Sequence, residues 1–193
     1  YKNLVFLVSK AHLEGFFYHP RIDRALLGDH SAGLIGMSAC VGGDVPRAVR
    51  EQGEGEGERV AAAYRELFEP GSWFLEVQST GDPVQDDLNA ALRGVSQKTG
   101  IPLVATNDAH YLYKEDSAAH DILMRIQEGK TIRDVVNLQH SQLALYLRSA
   151  EEMRAALPDY LDAIERTVEI AERCDVELVL DKPMLPEYPI PTG

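Results

Sequence analysis

The sequence predicts an α/β fold with a parallel sheet. Short apolar runs alternate with amphipathic segments, and this order is typical of parallel strands joined by right-handed crossover helices. Runs without polar alternation must be covered on both faces, as strands of parallel sheets are. The predicted strands of this sheet lie at 34–39, 73–78 and 103–106.

Helices are predicted before and between these strands. Apolar residues occur at helical spacing near the start of the chain, at Leu4, Leu7, Val8 and Ala11. This pattern predicts an amphipathic helix over 2–14 that ends at Gly15. Ser149 opens a later helix with a capping-box pattern. The other predicted helices lie at 22–30, from 44 onward, at 60–68, at 83–100, at 114–129 and at 160–174.

The remaining segments are predicted from composition. Residues 51–58 alternate acid and glycine, which favours an exposed mobile loop because such a sequence cannot form a packed element. Two further strands are predicted at 143–147 and 176–180, and the proline-rich stretch 183–193 reads as an extended linker into another domain.

Charge and cysteine content limit the class of protein. The net charge of -12 argues against a main grip on the nucleic-acid backbone, which requires basic surface. The sequence contains no apolar run long enough for a membrane helix, which needs about 18 residues. Cys40 and Cys174 are far apart in the chain, which favours reduced thiols in a cytoplasmic protein. The first residue is Tyr1 rather than Met, and residues 1–9 resemble neither a signal peptide nor a transit peptide, so we expect a piece of a longer polypeptide.

The strand at 103–106 ends in two potential metal ligands, Asp108 and His110. If the chain stays extended, residues two apart point to the same side, so one carboxylate oxygen and one imidazole nitrogen could reach one ion. Zinc, manganese or iron accept this pair, whereas calcium and magnesium prefer oxygen alone. The alternative is structural: Asp108 or Asn107 caps a following turn, and His110 lies on the surface.

Cys40 occupies the corresponding position after the strand at 34–39. Ligands gather at the carboxyl ends of parallel strands, so we expect Cys40, Asp108 and His110 to converge there. Three such ligands support a metal site, and a structural role for all three is the equal alternative. The alternative for Cys40 is a buried small apolar side chain. His120, in the helix at 114–129, is interpreted as a surface or packing histidine.

Several short motifs are spread along the whole chain: YKNL at 1–4, GLI at 33–35, SAC at 38–40, FLE at 74–76, VATNDAHY at 104–111, SAEEM at 149–153 and TVEIAERC at 167–174. Together they resemble the bacterial replicative DNA polymerase III alpha subunits. The similarity runs essentially end to end and corresponds to the later part of their amino-terminal PHP (polymerase and histidinol phosphatase) domain, plus the start of the connection to the polymerase palm.

The resemblance implies a partial (β/α)7-type PHP barrel in 1–148. A helical connection toward the polymerase palm would follow in 149–182, and a proline-rich linker in 183–193. In that family the strand ends can hold a cluster of metal ions. Cys40, Asp108 and His110 match ligands of the cluster, whereas Asn107 and Glu76 do not.

The resemblance leaves two functions open. In some members the PHP domain, with zinc or with manganese or iron, is a proofreading exonuclease acting on 3′ ends. In others it is a metal-free scaffold that docks a separate proofreading subunit and braces the polymerase. Retention of all three ligand types favours the first function.

The same resemblance implies what this chain lacks. The family's H-x-H motif and the Mg²⁺-binding polymerase carboxylates fall outside it, so we expect weak metal binding and no activity from the chain alone. DNA and other replisome subunits are the implied partners. An incomplete barrel exposes strand edges and the apolar faces of its strands, which predicts a homo-oligomer.

Overall fold

The computed structural model describes residues 1–131, 143–178 and 180. The strands are β1 (Gly36–Met37), β2 (Trp73–Gln78) and β3 (Leu103–Thr106). Short 3-10 helices lie at Lys114–Asp116 and Pro158–Tyr160. The α-helices are α1 (Lys2–Leu13), α2 (Arg24–Asp29), α3 (Asp44–Gln52), α4 (Glu54–Arg65), α5 (Pro83–Thr99), α6 (Ser117–Gln127), α7 (Ala150–Ala156) and α8 (Leu161–Arg173).

The three strands form one parallel sheet in the order β1-β2-β3. Gly36 pairs with Trp73, and Leu75 pairs with Leu103. The predicted α/β class with parallel strands is therefore confirmed. In the described residues the sheet is open, as a part of a barrel would be.

Helix α5 crosses between β2 and β3 and has both of its ends capped. The Asp82 carboxylate accepts a hydrogen bond from the backbone N–H of Val84 (3.0 Å), and Pro83 begins the helix. Gly100 ends it with φ of 71°, a conformation that glycine adopts without steric cost. These signals are local, and the predicted helix at 83–100 is confirmed.

One face of the sheet packs against helices in the main core. Trp73, Leu75 and Val77 of β2 share this core with Leu103 and Ala105 of β3. The helices contribute the other buried residues: Val45, Ala48, Val49, Val60, Ala61, Leu88, Leu92, Val95, Leu157, Ala163 and Ile164.

Helix α8 closes the amino ends of β2 and β3. Its Ile170 packs against Phe74 and Val104, which project from the opposite face of the sheet. The Arg166 guanidinium donates to the backbone oxygen of Leu103 (2.5 Å). Arg173 donates to the Gly71 backbone oxygen (2.9 Å) and to the Ser72 hydroxyl (2.8 Å).

The predicted mobile loop at 51–58 is wrong, because α3 continues to Gln52 and α4 begins at Glu54. Gly57 is buried in the contact between these helices, where a Cβ would come within 2.3 Å of Val49. Lys98 pairs with Glu54 (3.1 Å) and with Glu58 (2.8 Å). The glycine permits close helix packing, and the acids find a cation on a neighbouring helix.

The weaker strand predictions are corrected as well. Only Gly36–Met37 of the run at 34–39 forms a strand. In place of a strand at 143–147 there is a single parallel bridge between Tyr111 and Tyr146. The described residues of 176–180 form no strand, and the linker predicted at 183–193 lies outside the described residues.

The prediction that a partial barrel exposes its apolar strand faces is wrong for β2 and β3. Phe74, Leu75 and Val104 are fully buried, because helices cover both faces. Met37 of β1 is exposed. Exposed apolar strand faces therefore do not support the predicted homo-oligomer at β2 and β3. The homo-oligomer stays a prediction. No helix in the described parts of the chain is long and apolar enough to cross a membrane.

Candidate functional site

A cavity of about 280 Å³ lies at the carboxyl ends of the strands. All three predicted metal ligands line it: Cys40 follows β1, and Asp108 and His110 follow β3. The structure therefore brings together residues that are 68 positions apart in sequence (108 minus 40). The full lining comprises Cys40, Val41, Gln78, Thr80, Asp82, Gln85, Asp108, His110, Leu143 and Leu145.

The backbone turns sharply at two of these strand ends. Ala39 and Asp108 have φ of 62° and 50°, in the left-handed region that side chains with a Cβ rarely adopt. Such a conformation costs about 1–2 kcal/mol per residue. The cost falls on the residue before Cys40 and on Asp108 itself, and backbone strain of this kind clusters at functional sites.

The loop that carries Cys40 is closed by tight backbone contacts. The Gly43 N–H donates to the Cys40 carbonyl oxygen (2.8 Å). A Cβ on Gly43 would lie 2.1 Å from the Ser38 carbonyl oxygen, so this position requires glycine. The loop is thereby fixed between β1 and the start of α3.

Asp44, the first residue of α3, anchors the other side of this loop. The Tyr64 hydroxyl donates to its carboxylate (2.5 Å), and Arg47 and Arg24 pair with the same group (2.8 and 3.5 Å). The hydrogen bond from Tyr64 is the largest effect and lowers the pKa of Asp44. Burial is the next largest and opposes it, and Arg47 and Arg24 lower the pKa further. The carboxylate therefore stays ionised and holds α3 near Cys40.

The ring of His110 is oriented by backbone atoms. Its Nδ1 lies 2.8 Å from the Asp108 carbonyl oxygen. A carbonyl can only accept, so Nδ1 carries the proton and Nε2 keeps its lone pair in the neutral ring. The backbone N–H of His110 donates to the Leu145 oxygen (2.8 Å). This tautomer is the one that binds a metal through Nε2.

The alternative in which Asp108 or Asn107 caps a helix is not what the structure has. The next helical turn begins at Lys114, and its N-cap is Tyr113. The Asn107 amide donates to the backbone oxygen of Tyr146 instead. Neither side chain caps the helical segment that follows.

Sequence reasoning missed two side chains at this site: Gln78 and Gln85 are buried and line the cavity. His120 packs against other rings, in agreement with its interpretation as a surface or packing histidine. Its ring is edge-on to that of His110, with centroids 5.6 Å apart, and its centroid is 5.2 Å from that of Tyr111. Gln78 and Glu76 are two positions apart in β2, with an apolar residue between them. This spacing was the available signal that both polar side chains lie on one face of the strand.

Comparison with known proteins finds a matching domain model at the start of the chain and similar proteins along its length. Residues 1–80 match the PHP domain, a segment that includes Cys40 but ends before Asp108. The chain is 40% identical over 191 residues to DNA polymerase III subunit alpha of Treponema pallidum (strain Nichols), covering 99% of this chain. It is 39% identical over 204 residues to that of Thermus aquaticus and 38% identical over 199 residues to that of Deinococcus radiodurans.

The chain is similar along its length to a segment of the DNA polymerase III alpha subunit. The resemblance that the motifs indicate is thereby confirmed. The chain spans about 16% of the length of the relatives it matches. The PHP match lies at the amino-terminal end of the chain. The similarity to the polymerase subunits continues beyond residue 80 and includes α8.

The donors at the cavity fit a metal ion in chemical type. A carboxylate, an imidazole with a free Nε2 and a thiol are ligands that zinc, manganese or iron accept. Within residues 1–131, 143–178 and 180, no three His, Cys, Asp or Glu side chains lie close enough together to hold an ion. Cys40, Asp108 and His110 thus line one cavity without forming a closed coordination set among the described residues.

Proposed function

We propose that this chain is part of a bacterial replicative DNA polymerase of the DNA polymerase III alpha type. We further propose that its strand-end cavity contributes ligands to a metal-dependent phosphodiesterase site that removes nucleotides from 3′ ends. The observation that carries the second proposal is that Cys40, Asp108 and His110 line one cavity. The similarity over 99% of the chain supports the first.

The roles of the three residues follow from their chemistry. The Asp108 carboxylate and His110 Nε2 would hold zinc, manganese or iron, and Cys40 would join them as a thiolate. A metal held by these residues would supply the Lewis-acid chemistry that phosphodiester hydrolysis requires. The Asp108 carbonyl oxygen, by holding Nδ1–H (2.8 Å), keeps the ring of His110 in the tautomer that leaves Nε2 free.

The partners follow from the same proposal. The substrate is DNA, and its main phosphate contacts belong to other parts of the polypeptide, since this chain has a net charge of -12. The polymerase site with its Mg²⁺ likewise belongs to other parts. We place the protein in the cytoplasm with other replisome subunits; a separate proofreading subunit is a partner only under the scaffold alternative.

The test uses the full-length polymerase polypeptide that contains this chain, in its wild-type form and with Asp108→Asn or His110→Ala. Primer extension and removal of a 3′ nucleotide are measured side by side. We expect each variant to lose the exonuclease by more than about 100-fold, because even outer-shell partners of a metal are worth about 10- to 100-fold. Primer extension should stay unchanged. His12→Ala, at an exposed position of α1, is the matched control.

Two results would overturn parts of this proposal. Equal exonuclease rates in the wild type and both variants would remove the metal-site function and leave the scaffold that docks a proofreading subunit. A wild-type polypeptide that extends no primer would remove the polymerase function.

A further inference from the structure

Two buried amide side chains form one wall of the strand-end cavity. Gln78 and Gln85 are 3% and 2% exposed, yet both line the same cavity as Asp108 and His110. A buried amide is costly unless its polar atoms have partners. The direction in which each amide oxygen points therefore decides what the cavity can bind.

The orientation of Gln78 is fixed by Glu76 and Thr106. Its Nε2 donates to the Glu76 carboxylate (3.0 Å) and to the Thr106 hydroxyl (3.1 Å). The Thr106 hydroxyl in turn donates to Glu76. An ionised carboxylate can only accept, so the nitrogen must face it, and both amide protons are used. The oxygen Oε1 is the polar atom that Gln78 has left for the cavity.

The orientation of Gln85 is fixed through Asn89. The Gln78 backbone N–H donates to Asn89 Oδ1 (3.2 Å), and Asn89 Nδ2 donates to the Gln78 backbone oxygen (2.6 Å). These two backbone groups settle which atom of Asn89 is oxygen. Gln85 Nε2 must then donate to Asn89 Oδ1, at 2.8 Å. The remaining terminal atom of the Gln85 amide is therefore its oxygen, Oε1.

The cavity lining contains several residues that can accept hydrogen bonds. Asp82, Asp108, Gln78 and Gln85 belong to it, and no lysine or arginine of the described chain does. Such a surface disfavours a free anion and favours a cation or a group that donates hydrogen bonds. One water occupies about 30 Å³ in the liquid, so about 280 Å³ has room for an ion with several waters.

We propose that Gln78 and Gln85 are positioning residues that accept hydrogen bonds from the water shell of a divalent cation held at Asp108 and His110. This inference rests on the proposed metal site and adds to it the residues that order its solvent. The amides do not bind the ion directly. Their oxygens orient the waters that surround it, and the network through Glu76, Thr106 and Asn89 holds those oxygens in place.

The test titrates the chain with Mn²⁺ alone and follows binding by electron paramagnetic resonance. Gln85→Met is the decisive variant, because methionine has a similar length and leaves the Glu76–Thr106 contact intact. Gln97→Met, at an exposed position of the same helix, is the matched control. We expect Gln85→Met to weaken Mn²⁺ binding about 10-fold and to change the water-proton relaxation of the bound ion. Gln97→Met should change neither.

Gln78→Met and Asp108→Asn complete the set, with thermal unfolding to show that each variant is folded. Loss of binding in Asp108→Asn together with wild-type affinity and relaxation in both glutamine variants would overturn this inference while the metal site stands. A wild-type chain that binds no Mn²⁺, or an Asp108→Asn variant that binds it equally well, would overturn the metal site and this inference together.

Discussion

Strands β2 and β3 end in opposite ways. At their amino ends Phe74 and Val104 pack against Ile170, and the guanidinium groups of Arg166 and Arg173 donate to backbone oxygens there. At their carboxyl ends the chain opens into a cavity lined by acceptors. The same two strands therefore have one end closed by protein contacts and one end that leaves polar atoms for a ligand.

The difference assigns separate tasks to the two ends. In folds of this type the amino ends of parallel strands serve stability, and the carboxyl ends carry function. Here the amino-end carbonyls accept hydrogen bonds from α8. At the carboxyl end, Gln78 donates both amide protons to Glu76 and Thr106, and Gln85 donates one to Asn89. Substitutions at the amino end should therefore change stability without changing metal affinity. Removal of a cavity side chain such as Asp108 should change metal affinity.

The largest expected effect is at the amino end. Phe74 is 1% exposed, so Phe74→Ala should lower the free energy of unfolding by about 3–5 kcal/mol through lost burial and a new cavity. Urea unfolding measures this value. Val84→Ala, at a side chain that is 44% exposed, should lose less than about 1 kcal/mol. If Phe74→Ala lowers the free energy of unfolding by as little as Val84→Ala does, the contact of Phe74 with Val104 and Ile170 does not stabilise the amino ends of the strands.

Arg173→Met should destabilise the chain by about 1 kcal/mol, because it removes two charge-assisted hydrogen bonds at a partly solvated site. Arg154→Met on α7 is the control with the same change in charge. The affinity of the folded chain for Mn²⁺ should be equal in both variants. A change in Mn²⁺ affinity for Arg173→Met alone would show that the two ends are not independent.

A change at the carboxyl end should raise stability instead. Ala39 has φ of 62°, which costs about 1–2 kcal/mol for a residue with a Cβ. Ala39→Gly removes this cost and adds chain entropy to the unfolded state, so a net gain of about 0.5–1 kcal/mol is expected in urea unfolding. Ala90→Gly, exposed within α5, should lose about 1 kcal/mol. Destabilisation of similar size in both variants would argue against strain at Ala39.

The smallest expected effect is the pH dependence at Asp44, which anchors the Cys40 loop. The hydrogen bond from Tyr64 holds the pKa of Asp44 below its ordinary value of 3.8. A lowered pKa stabilises the fold above the ordinary value, and this contribution is lost as pH falls through the lowered one. The difference in unfolding free energy between the wild type and Asp44→Asn should stay constant near neutral pH and shrink below about pH 4. A difference that does not vary with pH would contradict the ionised Asp44.

Local signals predict the centre of this fold well. The runs at 73–78 and 103–106 and the caps of α5 need no knowledge of distant residues, and they form as predicted. The acid-glycine stretch fails because its structure depends on Val49 and Lys98, which lie on other helices. The segment 143–147 depends on distant partners too, since the Ala144 N–H donates to the Thr80 oxygen (2.8 Å).

The candidate site divides in the same way. The position of Cys40, Asp108 and His110 at strand ends follows from the order of strands, and the structure places all three on one cavity. The amide orientations of Gln78 and Gln85 depend on a network that links β2, β3 and α5. No spacing in the sequence encodes that network, so it becomes visible only in three dimensions.

The most direct test of the metal centre uses Co²⁺, because a thiolate ligand gives a charge-transfer band in the near ultraviolet. The chain has two cysteines, Cys40 at the cavity and Cys174 on the surface, so each serves as a control for the other. We expect Co²⁺ to produce the band in the wild type and in Cys174→Ser, and we expect Cys40→Ser, Asp108→Asn and His110→Ala each to lose it. A band that survives Cys40→Ser, or one that ignores both Asp108→Asn and His110→Ala, would contradict a shared ion at the strand ends.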